Sequence, residues 1–448
     1  MPKQTVDSLI HAKWIIPVNP DNSVLTDHAI AVKKGVIVDI LDSTLASQNY
    51  RSAKTYHLDS HAVIPGLINM HGHAGMTLFR GLADDLPLMN WLNNHIWPAE
   101  RRWVCDEFVA DGTELAIAEM LLSGTTCFTD MYFYPNVTAR LVHKHKLRAQ
   151  IMIPVLEFPS AWAENADEYI HKGLSLHDDY RNHDLINIGF GPHAPYTVSD
   201  QSFERIRMLA NELDAVVHIH LHETAHEIEE AVSQQGPRPI QRLEQLGLLS
   251  PRLQCVHMTQ VIPEDITLLR DNGCHVIHCP ESNLKLASGF CPSAQLLEAG
   301  VNVALGTDGA ASNNDLNMFG EANTAALLAK GLTGDASALP AHQALRMATY
   351  NGAKALGLEN EIGSLEAGKF ADITAVDLSG IAQQPVYDPI SHLIYHSCGQ
   401  QASHVWVNGR LLVDGGTLTG LDTHALSRKI SRWRDKIKVA ENQQSMNF

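Results

Sequence analysis

Ile64-Pro65-Gly66-Leu67-Ile68-Asn69-Met70-His71-Gly72-His73 is an apolar run that stops on two histidines one residue apart. In a strand, residues two apart point to the same side, so His71 and His73 would present both imidazoles on one face, with Gly72 leaving room between them. That is one way for a backbone to offer two nitrogen ligands to a single metal ion. In a chain with 25 histidines an isolated His-x-His carries little by itself. Its weight comes from the stretches that follow.

Working outward, the middle of the 448-residue chain alternates short apolar runs with helical stretches, the pattern of βα units around a parallel sheet. Eight candidate strands stand out, at 63–70, 125–129, 149–155, 186–190, 216–220, 253–257, 275–278 and 301–306. Eight such units close an α/β fold of the (β/α)8 TIM-like barrel type, whose active site sits at the C-terminal ends of the strands. Polar residues should then appear just where the apolar runs stop, and they do. The first run ends in His71 and His73, the fourth in Gly191-Pro192-His193, the fifth in His218-Ile219-His220-Leu221-His222-Glu223, the sixth in His257 and the eighth in Thr307-Asp308.

Both ends of the chain are β-rich. Ala29 to Val32 and Val36 to Ile40 flank Lys33-Lys34-Gly35, and His404 to Val407 and Arg410 to Val413 flank Asn408-Gly409; both breaks read as hairpin turns. The expected organisation is a small β-sandwich domain built from both termini (residues 1–62 and 369–420) around a catalytic barrel (63–368). A C-terminal amphipathic helix and tail follow (421–448). In that helix Leu426, Ile430, Trp433 and Ile437 recur at helical spacing among basic residues, a face expected to dock on its own domain.

Composition narrows the class. Hydrophobic residues make up 45% and charged residues 19%, as in an ordinary globular protein, and the formal net charge of -17 argues against nucleic acid or an anionic membrane as partner. No apolar stretch reaches the ~18 residues needed to span a bilayer and the N-terminus is not a signal peptide, so the expected location is cytoplasmic. The seven cysteines (Cys105, Cys127, Cys255, Cys274, Cys279, Cys291 and Cys398) include no Cys-x-x-Cys pair. They read as reduced residues, mostly buried, rather than as a thiolate metal site.

Imidazole and carboxylate donors suit Zn²⁺, and His71, His73, one histidine of the fifth run and Asp308 supply such a set. With Pro65-Gly66-Leu67-Ile68-Asn69-Met70-His71-Gly72-His73 and Gly306-Thr307-Asp308-Gly309, the chain resembles the amidohydrolase superfamily. Trp97-Pro98-Ala99-Glu100, Gly191-Pro192-His193-Ala194-Pro195-Tyr196, His220-Leu221-His222-Glu223-Thr224 and Cys255-Val256-His257 narrow the resemblance. It is similar there to the adenine-nucleoside aminohydrolase branch, the 5-methylthioadenosine/S-adenosylhomocysteine deaminases. The likeness runs from about residue 7 to 420.

That resemblance implies metal ligands His71, His73, His220 and Asp308, with His218 and His222 as supporting or packing residues. It implies one Zn²⁺ per subunit, ahead of Fe²⁺ or Mn²⁺, because the fourth run ends without the lysine that bridges two ions in other members. It assigns catalytic roles to Asp308 (taking a proton from the attacking water), His257 (orienting hydroxide) and Glu223 (delivering a proton to N1 of the ring), and substrate-binding roles to Glu100, His193 and Glu223. Trp91 and Trp97, in the segment after the first strand, read either as an apolar lid or as buried packing. A homodimer is implied by analogy alone.

Relatives that act on S-adenosylhomocysteine place arginines after the third strand. Here Ile153 to Glu168 holds three glutamates, one aspartate and no arginine, an apolar, carboxylate-lined loop that suits a neutral methylthio group better than a zwitterion. The expected reaction is therefore hydrolysis of 5′-methylthioadenosine to 5′-methylthioinosine and ammonia, with adenosine and S-adenosylhomocysteine as weaker substrates. Hydrolases of other heterocycles (an aminohydrolase or chlorohydrolase on guanine or a triazine, or a cyclic-amide hydrolase) share the general motifs. A non-catalytic scaffold would be expected to have lost ligands, and none is missing.

Overall fold

A computed structural model describes residues 3–234, 236–396 and 401–445. Cys398 and the last three residues lie outside them. Among the described residues sixteen strands form two eight-stranded sheets. The first combines β1 (Gln4–Ile15), β2 (Leu25–Lys33), β3 (Val36–Asp42) and β4 (Tyr50–Pro65) with four strands from the other end of the chain. The second is built from β5 (Leu67–Gly72), β6 (Thr125–Asp130), β7 (Arg148–Val155), β8 (Ile186–Pro192), β9 (Val217–Leu221), β10 (Leu253–His257), β11 (His275–His278) and β12 (Asn302–Leu305). Returning to the first sheet are β13 (Ile373–Asp377), β14 (His404–Val407), β15 (Arg410–Asp414) and β16 (Thr417–Leu418).

The second sheet pairs in strict chain order from β5 to β12, with parallel neighbours throughout and helices in the connections. Covered on both faces, β5, β6 and β7 are buried along their whole length, polar residues such as Asn69, Thr125, Thr129 and Gln150 included. The ring closes where Asp308 N–H donates to His71 C=O at 3.0 Å just beyond β12. Crossover helices begin on side-chain caps: Asn165, Ser199 and Thr224 each accept a hydrogen bond from a backbone N–H three residues on.

Residues Val63 to Pro65, read from sequence with the first barrel strand, belong to β4 of the other sheet, and Gly66 separates the two. A Cβ at Gly66 would lie 2.0 Å from the Thr126 hydroxyl, so only glycine lets the chain pass this close to β6. Gly72 is different. A Cβ there would meet nothing nearer than 3.6 Å, so the space between the two histidines does not require glycine. The tight glycine at this site is Gly306, whose Cβ would stand 2.7 Å from His71 N.

In the first sheet the order is β16-β15-β14-β13-β4-β1-β2-β3, mixed, with both hairpins where the sequence places them. Lys34 and Gly35 (φ 51° and 80°) and Asn408 and Gly409 (φ 49° and 70°) turn through the left-handed region. Ile37 N–H donates to Lys369 C=O and Ala371 N–H to Gly35 C=O, so the sheet curls over an apolar core that includes Ile10, Ile30, Val63, Ile373 and Trp406. A buried ion pair, Arg148 Nε to Asp372 Oδ2 at 2.9 Å, fastens it to the base of β7. The C-terminal helix, Thr423–Ser445, docks on the helix Asp106–Leu122. Trp433 donates to Asp111 at 3.0 Å and meets Phe108 edge-on, and Lys429 pairs with Asp111 and Glu114. Among the described residues no helix is long and apolar enough to cross a membrane.

Candidate active site

At the C-terminal ends of β5, β9 and β12 four donors converge. Asp308 Oδ1 lies 3.3 Å from His71 Nε2 and 3.1 Å from His73 Nε2, and His220 Nε2 lies 3.2 Å from His71 Nε2. Four donors about 2.0–2.1 Å from a central ion would form a tetrahedron with edges of about 3.3 Å, and these three separations are of that size; His71, His73 and Asp308 form one group of possible ligands. Two facing Nε2 lone pairs at 3.2 Å repel unless a cation or proton lies between them. His71, His220 and His257 form a second overlapping group of possible ligands.

Each ring is turned by its other nitrogen. His73 Nδ1 donates to Met131 C=O at 2.6 Å, His220 Nδ1 to His193 C=O at 2.8 Å, and His71 Nδ1 meets His218 Nε2 at 2.8 Å. Burial lowers His71 to about 4, against the pull of Asp308, and holds His220 well below the usual imidazole range. Both therefore offer lone pairs at neutral pH. For His73 burial works the same way, yet the Asp308 carboxylate outweighs it and lifts the ring to about 9.

Asp308 and His257 sit in left-handed backbone conformations, φ 61° and 76°, which cost a non-glycine residue roughly 1–2 kcal/mol. What holds them is the turn after β11. Ser282 donates to Asp308 Oδ2 at 2.6 Å, joined by Ser312 at 2.8 Å, while the neighbouring Asn283 accepts from His257 Nδ1 at 2.8 Å. Asp308 Oδ1 is thereby left facing the histidines, and His257 Nε2 lies 3.8 Å from Glu223 Oε2.

Glu223 is buried, and that burial raises its carboxyl above the usual range. Its backbone N–H donates to Glu227 at 2.8 Å, and the Ser288 hydroxyl lies 3.4 Å from its Oε1. A carboxyl whose neutral form is favoured by burial, set beside a polar centre, is placed to deliver a proton.

The centre opens into a cavity of about 500 Å³ lined by His73, Glu100, His193, His220, Glu223, His257 and Asp308 on its polar side. Leu88, Trp91, Leu92, Ile96, Trp97 and Phe158 form much of the apolar wall. Glu100 accepts a hydrogen bond from the Tyr132 hydroxyl at 2.9 Å, and burial pushes its carboxyl up to about 7. His193 turns its ring to the cavity as well as its carbonyl to His220.

Of the site residues read from the sequence, His73, Glu100, His193, His220, Glu223, His257 and Asp308 line this cavity, while His71 is fully buried beside it, 3.3 Å from Asp308 and 3.2 Å from His220. His218 and His222 do not line it. His218 stands behind His71, and His222 accepts from Ile240 N–H at 3.1 Å on the far side of Glu223.

One sequence expectation needs correcting. In the loop after β7, Leu156, Phe158, Pro159, Ser160 and Ala161 face the cavity, but its acids do not. Glu157 binds Ser199 and Ser202, Asp167 pairs with Arg205, and Glu168 pairs with Lys172. The wall is apolar rather than carboxylate-lined. Nor is the cavity free of arginine, since Arg101, next to Glu100, reaches its lining from another segment. Tyr132, Ser282, Asn283 and Ser288 were missed too. Tyr132, two residues past the end of β6, and Ser282-Asn283, just past β11, fall where the strand-end rule would have pointed.

A parallel barrel with buried nitrogen and carboxylate donors at its strand ends and a buried acid beside them defines a barrel hydrolase. The model of the amidohydrolase family matches residues 62–412, and the chain belongs to that family. It is 53% identical to a 5-methylthioadenosine/S-adenosylhomocysteine deaminase of Teredinibacter turnerae, over 97% of this chain and 98% of that one. A protein of the same description from Saccharophagus degradans is 52% identical over 98% of each. The crystal structure of an adenosine deaminase from Xanthomonas campestris with bound zinc superposes with a TM-score of 0.95 at 49% identity, covering 98% of this chain and 100% of that one.

Proposed function

We propose that this chain hydrolytically deaminates an adenine nucleoside, with 5′-methylthioadenosine as preferred substrate, giving 5′-methylthioinosine and ammonia. The observation that carries the reaction is the buried Glu223 set against the His71, His73, His220 and Asp308 donors. Relatives described as deaminases of methylthioadenosine, S-adenosylhomocysteine and adenosine support the nucleoside class. Two overlapping groups of possible ligands, His71, His73 and Asp308 and His71, His220 and His257, support a divalent ion at this place, and zinc in the Xanthomonas protein supports zinc here. Such an ion lowers the pKa of water to about 7, so that hydroxide is available at neutral pH.

The remaining steps belong to the chain's own side chains. Asp308 receives the water's proton, its carboxylate being held by Ser282 and Ser312 on Oδ2 and by Gly309 N–H on Oδ1. His257, turned by Asn283, hydrogen-bonds the attacking oxygen. Glu223 protonates ring N1 as C6 becomes tetrahedral; the proton taken up by Asp308 then passes to the amino group, which leaves as ammonia as the C6–N bond breaks, and the C6 hydroxyl returns its proton to Glu223 as it becomes the carbonyl. Glu100 accepts from the ribose hydroxyls and His193 contacts the base or ribose, while the Trp91, Trp97 and Phe158 wall takes the 5′ substituent.

The wall supports methylthioadenosine over S-adenosylhomocysteine, because an apolar surface suits a neutral thioether better than a zwitterion. A spectrophotometric deamination assay tests this reading. Methylthioadenosine should give the higher kcat/KM, and the reverse order would mean that Arg101 captures the carboxylate and the wall argument is wrong.

A further inference from the structure

The three imidazoles that meet Asp308 are not anchored alike. His73 and His220 hold Nδ1 against backbone carbonyls, those of Met131 and His193. A carbonyl only accepts, so both rings carry a hydrogen on Nδ1, which leaves Nε2 as the atom able to face a cation. His71 has no carbonyl. Its Nδ1 faces Nε2 of His218, and one imidazole beside another does not by itself decide which nitrogen holds the hydrogen. A hydrogen on His71 Nε2 would point at the place of a cation and exclude it.

The decision is made further out. His218 Nδ1 lies 2.8 Å from Gln254 Oε1, and the Gln254 amide nitrogen donates to Ala355 C=O at 2.7 Å. Because that carbonyl can only accept, Gln254 must turn its NH₂ to it and its oxygen to His218. Gln150 reinforces the orientation by donating to the same Oε1 at 2.9 Å. His218 therefore donates from Nδ1. Its hydrogen bonds among the described residues go to Gln254 and His71, with no carboxylate, so the ring is neutral and accepts at Nε2. His71 must then donate from Nδ1. His71, His218, Gln254 and Gln150 are all buried, and no solvent competes for these bonds.

We infer that His218 and Gln254 are positioning residues that transmit the direction of one backbone acceptor, Ala355 C=O on the helix Tyr350–Leu356, to His71, keeping His71 Nε2 free to bind a divalent ion. The chain starts at a helix outside the barrel and ends at the centre, and both ends demand the same direction. This rests on the metal-centre reading, not on the choice of substrate.

The test is zinc affinity, measured on the full-length protein by competition with a chromogenic chelator and no nucleoside present, beside the melting temperature of each metal-free variant. Gln254→Met keeps length and volume but removes donor and acceptor. His218→Leu removes the acceptor for His71, whereas His218→Gln restores one where Nε2 stood. Q254M and H218L should weaken zinc binding by about 10–100-fold, and H218Q should recover most of the loss. Wild-type affinity in Q254M overturns the inference. So does an H218Q as weak as H218L, or an affinity loss that merely tracks a lowered melting temperature, since either marks a packing role. A wild-type chain that holds no divalent ion sinks the metal centre as well; one that holds zinc while Q254M is unchanged sinks the relay alone.

Discussion

The floor of the cavity, where His71, His73, His220, His257 and Asp308 meet, is fixed from below by hydrogen bonds mostly of 2.6–2.8 Å to Met131, His193, His218, Asn283 and Ser282. Its wall is held otherwise. Trp97 and Phe158 meet edge to face with centroids 6.4 Å apart, and Trp91 is buried with its indole N–H on Ala83 C=O. Directional bonds fix angles, which a proton transfer needs. Apolar contact fixes only volume and polarity, which is what selection between a thioether and a zwitterion needs. On the proposed function, chemistry and selectivity rest on separable parts of one pocket.

The largest break expected is in the floor. Glu223→Gln should keep bound metal yet lower kcat by about 10²–10⁴-fold, read by turnover and by metal analysis on the same sample. Loss of metal in that variant would mean that Glu223 is a ligand and not the acid. In the wall, Phe158→Ala should lower kcat/KM for methylthioadenosine by about 10-fold or more while leaving adenosine nearly unchanged, because only the former has an apolar 5′ group to bury. Equal losses on both substrates would place Phe158 away from the 5′ end.

Between floor and wall stands Glu100. Its carboxyl ionises only as pH rises through about 7, and only the ionised form can accept from both ribose hydroxyls. KM should therefore fall as pH climbs from 6 to 8, and Glu100→Gln should raise KM and flatten that dependence. A wild-type KM that rises over this range contradicts the assigned role. The smallest effect is expected of Arg101→Met, which should leave methylthioadenosine turnover as it was and weaken S-adenosylhomocysteine by a few-fold. A marked loss on methylthioadenosine would show that the arginine belongs to the working part of the wall.

The floor was readable because its residues follow a rule tied to chain position: apolar strand, then donor. His71, His73, His220 and Asp308 stand at strand ends of the chain itself, and His-x-x-Glu selects His220 through a family likeness. The wall follows no such rule. Leu88 to Trp97 and Leu156 to Ala161 come from two connections that touch only when the barrel closes. The same holds for the acids of the second connection. Their composition is plain in the sequence, but Glu157, Asp167 and Glu168 turn outward because Ser199, Ser202, Arg205 and Lys172 lie there to receive them.

By itself, then, the sequence determined the alternation of strand and helix, the two hairpins and the row of donors at the strand ends, since all of these are set by period and by neighbours along the chain. Only the tertiary structure decided which nitrogen of each histidine faces the centre, that Ser282 and Asn283 hold Asp308 and His257, and that Arg101 reaches the pocket. Those outcomes depend on partners tens to hundreds of residues away. A hydrogen bond is made by proximity and direction in space, and no local pattern encodes either.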